Sequence, residues 1–253
     1  MKLVDLPAYA ICLERKPPTS VAVASWRKVF PHVKRATAID YKDLDVGTDP
    51  RVHEIGRMHV NHLEHSGETV YALPSKGAIA CALSHYALCK IASRMPHGLV
   101  VIEQDVEFTE TAVEVLKHLT LPADADYVSL LYIQQTDTKP YDSVYDRLVG
   151  PRCDGNQCYF ISAKGAIKTL KRVFPIATQC DLMYGVLANN LGHNFCGYVL
   201  KTRLYSVWQI LRDNSSSTIQ KFRIKKYLPR NNKFYYGVIL ILVILLAYMM
   251  MTL

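Results

Sequence analysis

The sequence lacks the pattern of a disulfide framework. Its seven cysteines are an odd number, they are scattered through apolar segments, and none forms a Cys-x-x-Cys pair. Cys153 and Cys158 are spaced for a bridge, although buried thiols fit their apolar context better. Free thiols are typical of a reducing compartment such as the cytosol. We therefore expect no structural disulfide.

The N-terminal segment lacks an uninterrupted apolar core. Residues 1–16 (MKLVDLPAYAICLERK) contain Asp5 and Pro7 in the stretch where a secretory signal peptide is apolar. We therefore expect no signal peptide. The sequence also lacks internal repeats, and its 253 residues suit a single α/β domain with a sizeable core.

A long hydrophobic run occurs only towards the C-terminal end. Residues 234–253 (FYYGVILILVILLAYMMMTL) are 20 consecutive residues without charge, enough to cross about 30 Å of hydrocarbon as a helix. A buried core helix is rarely this long without polar residues. Six basic residues and no acidic one precede the run at 221–233. By the positive-inside rule, we expect a single-pass C-terminal membrane anchor with the folded domain facing the cytosol.

The excess positive charge is local to this basic flank. The formal net charge of the whole chain is +8, and the flank supplies six of those charges, so the remainder is nearly neutral. A nucleic-acid binder needs its basic residues on the folded domain, and we expect no nucleic-acid partner. The predicted organisation is a folded domain at 1–211, a linker and basic flank at 212–233, and the anchor at 234–253.

Hydrophobic periodicity predicts alternating strands and helices. Strands are predicted at 9–13, 35–40, 99–102, 127–133 and 157–162. Helices are predicted at 20–30, 77–94, 109–119, 163–174 and 181–190. Thr109 is the predicted N-cap of its helix. Residues 41–76 are predicted to be irregular with a short helix near 53–65, and 134–150 a polar loop. This alternation is typical of a parallel α/β sheet.

Two carboxylates directly follow a segment with the composition of a buried strand. In residues 98–108 (GLVVIEQDVEF), Glu103 and Asp105 flank a glutamine, and a charge beside a buried strand is costly unless it is solvated, paired or bound to a cation. Ligands of parallel sheets bind at the carboxyl ends of the strands, and alternate positions point the same way. A divalent cation carrying a diphosphate suits such a place. A solvated strand end explains the same residues without a ligand.

The segments around these carboxylates resemble glycosyltransferase family 25, the lipopolysaccharide-type β-galactosyltransferases and collagen galactosyltransferases. The central block of that family pairs a Gly-x-x-x-Cys/Ala-x-x-Ser-His helix with a strand that ends in Glu-Asp-Asp. This chain matches that block with Gly77, Cys81, Ser84, His85, Glu103 and Asp105. Further similar blocks lie in the expected order at 9–19 (YAICLERKPPT), 36–40 (ATAID) and 158–181 (CYFISAKGAIKTLKRVFPIATQCD). The resemblance covers residues 7–200.

The resemblance implies a GT-A fold, in which a Rossmann-like sheet binds a nucleotide sugar and the sugar is transferred with inversion. It implies that Asp105 is a ligand of Mn²⁺ or Mg²⁺ and of the diphosphate. Glu103 is implied as a contact to the ribose or to a metal-bound water. Arg15 and Asp40 follow strands at which uridine is expected.

The resemblance also implies roles for Ser84, His85 and Gln104 in donor binding and for Asp181 as the general base. Inverting transfer needs a carboxylate that takes the proton of the acceptor hydroxyl. Structural explanations remain open for these residues. Ser84 and His85 suit a core or capping position, and Asp181 suits the N-terminal end of a helix.

Gln104 departs from the family pattern, which has aspartate at this position. The chain keeps the outer carboxylates and loses one negative charge, a change that lowers metal affinity or abolishes activity. One prediction is an inverting transferase that moves a sugar, galactose in most of the family, from a UDP-sugar to a glycan, lipid-linked or protein hydroxyl. The alternative is a catalytically inactive relative that serves as a membrane-anchored binding or scaffold protein.

A separate group of histidines lies in residues 59–65 (HVNHLEH). On a helix His59 and His62 share a face, and zinc would accept them as ligands. His65 falls away from that face because an interval of three residues drifts around a helix. The segment is largely polar, so a solvent-exposed or acceptor-binding segment explains it better than a zinc site.

Overall fold

The computed structural model describes residues 1–66, 74–130, 137–150, 153, 156–189, 194–201 and 208–210, which form a mixed α/β fold. The strands are β1 (Ala8–Cys12), β2 (Lys34–Thr37), β3 (Leu99–Glu103), β4 (Val106–Phe108), β5 (Tyr127–Ser129), β6 (Thr138–Pro140), β7 (Tyr145–Leu148), β8 (Cys158–Ile161), β9 (Gly197–Leu200) and β10 (Trp208–Ile210). The helices are α1 (Ser20–Val29), α2 (Glu54–Ser66), α3 (Lys76–Ala92), α4 (Glu110–His118), α5 (Ala163–Val173) and α6 (Cys180–Asn189), after a short 3₁₀ turn at Leu3–Asp5.

Eight of the described strands form one sheet in the order β2-β1-β3-β8-β5-β9-β7-β6. The first three strands are parallel to one another. β8 runs antiparallel between β3 and β5, and β7 and β6 continue the far side as antiparallel strands. The predicted α/β class is confirmed. The prediction of a parallel sheet holds only in part, because β8 runs against both of its neighbours.

β3 shows how the sheet comes to be covered on both faces. Val100 and Ile102 pack into a core with α1 and α4, whereas Leu99 and Val101 pack with α3, α5 and α6. All four side chains are fully buried. Because side chains alternate along a strand, the next residue, Glu103, falls on the face that α3 covers.

Hydroxyl side chains cap the helices that carry or border the site. Ser75 Oγ accepts a hydrogen bond from the backbone N–H of Ala78 at the start of α3. The predicted N-cap Thr109 is confirmed, since its Oγ1 accepts from the N–H of Ala112. Such a cap contributes about 1 kcal/mol to the stability of its helix.

One prediction of irregular structure is wrong in detail, and one short strand was not predicted from the sequence. The predicted loop at 134–150 contains β6 and β7, and the turn after β3 leads into β4, which pairs with β10. These strands have three or four residues each, too few to show a clear alternation in the sequence.

Within the described ranges no helix combines the length and apolar character needed to cross a membrane. The predicted anchor at 234–253 and its flank at 212–233 lie outside those ranges.

Candidate functional site

The three parallel strands end at one edge of the sheet, and most of the predicted site residues follow them. Ile11 of β1 pairs with Glu103 of β3, and Cys12 pairs with Thr37 of β2. The strand ends are therefore in register. We call their polar residues the acidic edge: Arg15, Asp40, Glu103, Gln104 and Asp105.

Gln104 and Asp105 form the turn between β3 and β4. The backbone N–H of Leu13 donates a hydrogen bond to Oε1 of Gln104 at 2.7 Å, so the glutamine ties the end of β3 to the end of β1. This contact needs a carbonyl acceptor and no charge. Asp105 is exposed and lies on the solvent side of the turn.

Arg15 and Asp40 form an ion pair through the arginine Nε. The guanidinium carbon of Arg15 also lies 5.7 Å from the ring centroid of Tyr41, and the N–H of Lys42 donates to Asp40 Oδ1 at 3.1 Å. Partial burial opposes ionisation, but the hydrogen bonds from Lys42 and Arg15 hold the pKa of the Asp40 carboxyl below its usual range. Asp40 is therefore a carboxylate at neutral pH.

Ser84 of α3 supports the segment that carries Asp40. Its hydroxyl accepts a hydrogen bond from the N–H of Ile39 at 2.9 Å and donates to the carbonyl of Ala80 at 2.9 Å. Ser84 is buried, so it is a positioning residue for the acidic edge in this structure.

His85 is fully buried beneath Glu103. Its Nε2 lies 3.0 Å from Glu103 Oε1, and its Nδ1 lies 2.9 Å from the hydroxyl of Tyr159. Burial alone would lower the pKa of His85, but Tyr159, Cys81 and the Glu103 carboxylate together hold that pKa well above its usual value. The histidine thus fixes the orientation of the carboxylate at the end of β3.

Two cysteines lie beside this histidine and complete what we call the sulfur–nitrogen cluster: Cys81, His85 and Cys180. The two sulfurs are 3.7 Å apart, and the potential ligand atoms of the three residues all lie within 4.8 Å of one another. The hydrogen bond with Cys180 lowers the pKa of the Cys81 thiol to about 6 despite burial, and the charge of His85 acts in the same direction. Cys81 Sγ also lies 4.0 Å from Glu103 Oε1.

Three buried tyrosines pack against one another beside the sulfur–nitrogen cluster. Tyr127, Tyr159 and Tyr184 are fully buried. The rings of Tyr127 and Tyr184 stack with centroids 4.2 Å apart, and the hydroxyl of Tyr184 donates to that of Tyr159 at 3.3 Å. Their role in this structure is to pack the core and to hold the ring of His85.

A shallow depression of about 380 Å³ opens next to the loop that carries Asp40. It is lined by Ile39, Asp43, Leu44, Asp45, Thr48, Asp49, Pro50 and Arg51. Its size is at the lower end of the range for small-molecule sites. The guanidinium of Arg51 is paired with the Asp49 carboxylate at 2.6 Å.

The predicted general base, Asp181, is the second residue of α6. Its side chain lies outside the described part of the structure. Its neighbour Cys180 contacts Cys81, which places the first turn of α6 beside the sulfur–nitrogen cluster and Glu103.

The three histidines of residues 59–65 lie on α2. His65 Nδ1 lies 2.7 Å from the carbonyl oxygen of Asn61 one turn earlier. Over the described ranges, the only group of three or more His, Cys, Asp or Glu residues arranged to hold a metal ion is Cys81, His85 and Cys180. The histidines of α2 do not form a second one.

Sequence reasoning missed the metal-ligating potential of Cys81 and Cys180. The spacing of Cys81 and His85 by four residues on a predicted helix was one available signal, because such residues share a helix face. Cys180 follows much later in the chain, and no local pattern connects it with α3.

Comparison with known proteins was negative: no protein-family model matches the chain, and no curated protein matches it either. The activity of the protein must therefore be inferred from the residues of the acidic edge.

Proposed function

We propose that the protein is an inverting glycosyltransferase of the GT-A type. It would move a sugar, galactose in the first instance, from a UDP-sugar to a hydroxyl of a glycan, a lipid-linked acceptor or a protein. The observation that carries this proposal is the acidic edge, where three parallel strands end in register. In open α/β sheets, nucleotides bind at the carboxyl ends of parallel strands.

The exposed side of the acidic edge suits an oxygen-preferring cation such as Mn²⁺ or Mg²⁺. Asp105 is exposed in the turn after β3, and Glu103 lies two residues before it at the end of the strand. Carboxylate oxygens are the ligands that such cations take. Asp105 and Glu103 would hold the cation, which when bound offsets the negative charge that develops on the departing diphosphate.

Gln157 lies directly before β8 and opposite Glu103 of β3. Its backbone carbonyl accepts a hydrogen bond from the N–H of Glu103 at 2.7 Å. Among the described residues its buried Oε1 has no hydrogen-bond partner. A buried acceptor without a partner costs about 1–3 kcal/mol.

Arg15 and Asp40 are proposed to recognise the nucleoside. The ion pair and the nearby Tyr41 ring hold the guanidinium at the end of β1. Asp40 is ionised and can accept hydrogen bonds from ribose hydroxyls or from the uracil N–H. Arg15 offers donors to uracil carbonyls or to the diphosphate.

Asp181 is proposed as the general base. The acceptor oxygen attacks the anomeric carbon while its proton passes to the carboxylate. The bond between the anomeric carbon and the diphosphate oxygen breaks, and UDP leaves with the electron pair. Inversion follows because attack and departure occur on opposite faces of the sugar. The position of α6 beside Glu103 supports this assignment.

The membrane part of the proposal rests on the sequence. An anchor at 234–253, with the folded domain on the cytosolic side, would hold the enzyme close to membrane-associated acceptors. Such tethering raises the local concentration of enzyme and acceptor without any new contact between them.

The test uses the full chain, purified in detergent, with a panel of UDP-sugars and Mn²⁺. We expect metal-dependent turnover of one donor, measured as release of UDP. Asp105→Asn should abolish that turnover. Glu114→Gln is the matched control, because Glu114 is an exposed carboxylate on α4 that pairs with Lys117, and it should leave turnover unchanged.

The other outcomes are equally informative. Donor binding without turnover, also in the presence of acceptor extracts, would show that the protein is an inactive, membrane-anchored scaffold protein and not an enzyme. A folded chain that responds to none of the donors would contradict both functions, and the acidic edge would then be a solvated strand end.

A further inference from the structure

We propose that Cys81, His85 and Cys180 form a zinc site whose fourth ligand is the Glu103 carboxylate. This site lies on the buried side of Glu103, which is the one residue that it shares with the acidic edge. The proposal does not depend on the transferase activity.

The separation of the two sulfurs fits a tetrahedral zinc ion. With Zn–S bonds of about 2.3 Å, tetrahedral geometry places two thiolate sulfurs about 3.8 Å apart. Sγ of Cys81 and Sγ of Cys180 are 3.7 Å apart. A disulfide would require about 2.05 Å, and all seven cysteines are free thiols.

His85 is oriented as a zinc ligand usually is. Its Nδ1 is engaged with the hydroxyl of Tyr159 at 2.9 Å, which leaves Nε2 directed towards Glu103 and the cysteines. Histidines that bind a metal through one ring nitrogen commonly donate the other N–H to a fixed acceptor. The hydroxyl of Tyr159 is held in turn by the hydroxyl of Tyr184.

Glu103 is placed to complete the coordination. Its Oε1 lies 3.0 Å from His85 Nε2 and 4.0 Å from Cys81 Sγ. In a tetrahedral site with Zn–N and Zn–O bonds of about 2.0 Å and Zn–S of about 2.3 Å, these separations are about 3.3 and 3.5 Å. Changes of about 0.3 and 0.5 Å in these two separations would therefore bring Glu103 from its hydrogen-bonded position to a coordinating one.

Burial and anchoring also favour a structural metal. His85 is completely buried and Cys180 is 5% exposed, so bulk water has little access to these two ligands, whereas Cys81 and Glu103 are partly buried. Asn156 Nδ2 donates to the backbone carbonyl of Cys180 at 2.7 Å and fixes the start of α6. A zinc ion here would join α6 to α3 and the end of β3, two consecutive elements that lie far from α6 in the chain.

The experiment is a Co²⁺ titration of the full chain in detergent, stripped of metal with a chelator under reducing conditions. We expect one equivalent to bind and to produce a sulfur-to-cobalt charge-transfer band with the intense visible bands of a tetrahedral site. Zn²⁺ should displace the cobalt. Elemental analysis of protein purified without a chelator should show one zinc per chain.

Variants assign the ligands. Cys81→Ser and Cys180→Ser should each weaken the charge-transfer band and lower the affinity more than about 10-fold, and Glu103→Gln should keep the band but lower the affinity about 10-fold. Cys196→Ser is the control, because Cys196 lies outside the sulfur–nitrogen cluster, and it should bind cobalt as the parent does.

Two results would overturn the proposal. One is the absence of a charge-transfer band in the folded parent chain, which requires no variant. The other is a Cys81–Cys180 disulfide in metal-free protein that is not reopened by adding zinc together with a mild reductant. Either result would leave the three side chains as a hydrogen-bonded or oxidised part of the core.

Discussion

Glu103 separates two regions of different chemistry. On one side is the exposed turn with Asp105, which offers oxygen ligands to solvent. On the other side is the buried sulfur–nitrogen cluster, in which the side chains of His85 and Cys180 are shielded from water. Hard cations such as Mn²⁺ take oxygen ligands, whereas zinc takes sulfur and nitrogen. The exposed turn therefore favours a cation such as Mn²⁺, and the buried cluster favours zinc.

The comparison also shows the structural role of His85, which belongs to the sequence motif that resembles glycosyltransferase family 25. The Ser-His pair on α3 precedes the acidic strand end in the sequence, and this suggested direct contact with the donor substrate. In the structure both side chains point inward. Ser84 binds the backbone before Asp40, and His85 binds the Glu103 carboxylate, so both act on the acidic edge through other residues.

The largest expected effect comes from Asp105→Asn, which should impair the exposed region and leave the sulfur–nitrogen cluster unchanged. Removing a group that stabilises developing charge lowers kcat by about 10²–10³-fold, so UDP release should fall by at least that factor. Zinc content, measured on the same preparation, should not change. Loss of both activity and zinc would show that the two regions are a single site.

Glu103→Gln should affect both regions at once because the carboxylate lies between them. The amide keeps the shape and loses the charge, and we expect the affinity for zinc and the affinity for Mn²⁺ each to fall about 10-fold. Co²⁺ titration and the Mn²⁺ dependence of turnover measure the two effects. A change in only one of them would assign Glu103 to that region alone.

The third prediction concerns the thiol of Cys81 in the metal-free protein. In a pH titration, the ultraviolet absorbance of thiolates should show a first step with a midpoint at about pH 6. Burial raises the pKa of Cys89 to about 11 and that of Cys158 further, so these two thiols ionise only at higher pH. The main cause of the low pKa is the hydrogen bond with Cys180. Cys180→Ala should therefore move the step to higher pH. A step that stays in place would assign the low pKa to His85 instead.

The smallest effect is expected for Gln104→Ala. This change removes the acceptor for the Leu13 N–H and should lower the free energy of unfolding by about 1 kcal/mol. Thermal unfolding of the full chain measures it. Gln104→Asp restores the aspartate that the family resemblance would place there, and it should change turnover little because position 104 contacts the end of β1. A large gain in turnover would show instead that position 104 contributes to the metal site.

Several elements could be predicted because their patterns are local. The apolar run at 99–102 and the helical periodicity of 77–94 correspond to β3 and α3 within two residues at each end. Thr109 was recognisable as a cap because the hydroxyl acts on its own helix. The gathering of Arg15, Asp40 and Glu103 at one edge followed from the rule that parallel strands end together.

Other features depend on contacts between distant segments, and no local pattern encodes them. The direction of β8 is set by its place between β3 and β5. The approach of Cys180 to Cys81 depends on how α6 packs against α3. The short strands β6 and β7 at the far edge of the sheet are polar enough to have the composition of a loop. The side chain of Asp181 stays a sequence-based prediction.

The antiparallel placement of β8 has a consequence for how the chain folds as it is synthesised. β1, β2 and β3 leave the ribosome first, but the second edge of β3 is covered only by β8, which is made after β4 to β7. Until then the growing chain presents an unpaired, apolar strand edge, the kind of edge that recruits other chains. Pairing over so long a sequence separation is also slow. The nascent protein is therefore most prone to aggregate between the synthesis of β3 and that of β8, a window in which chaperones would act.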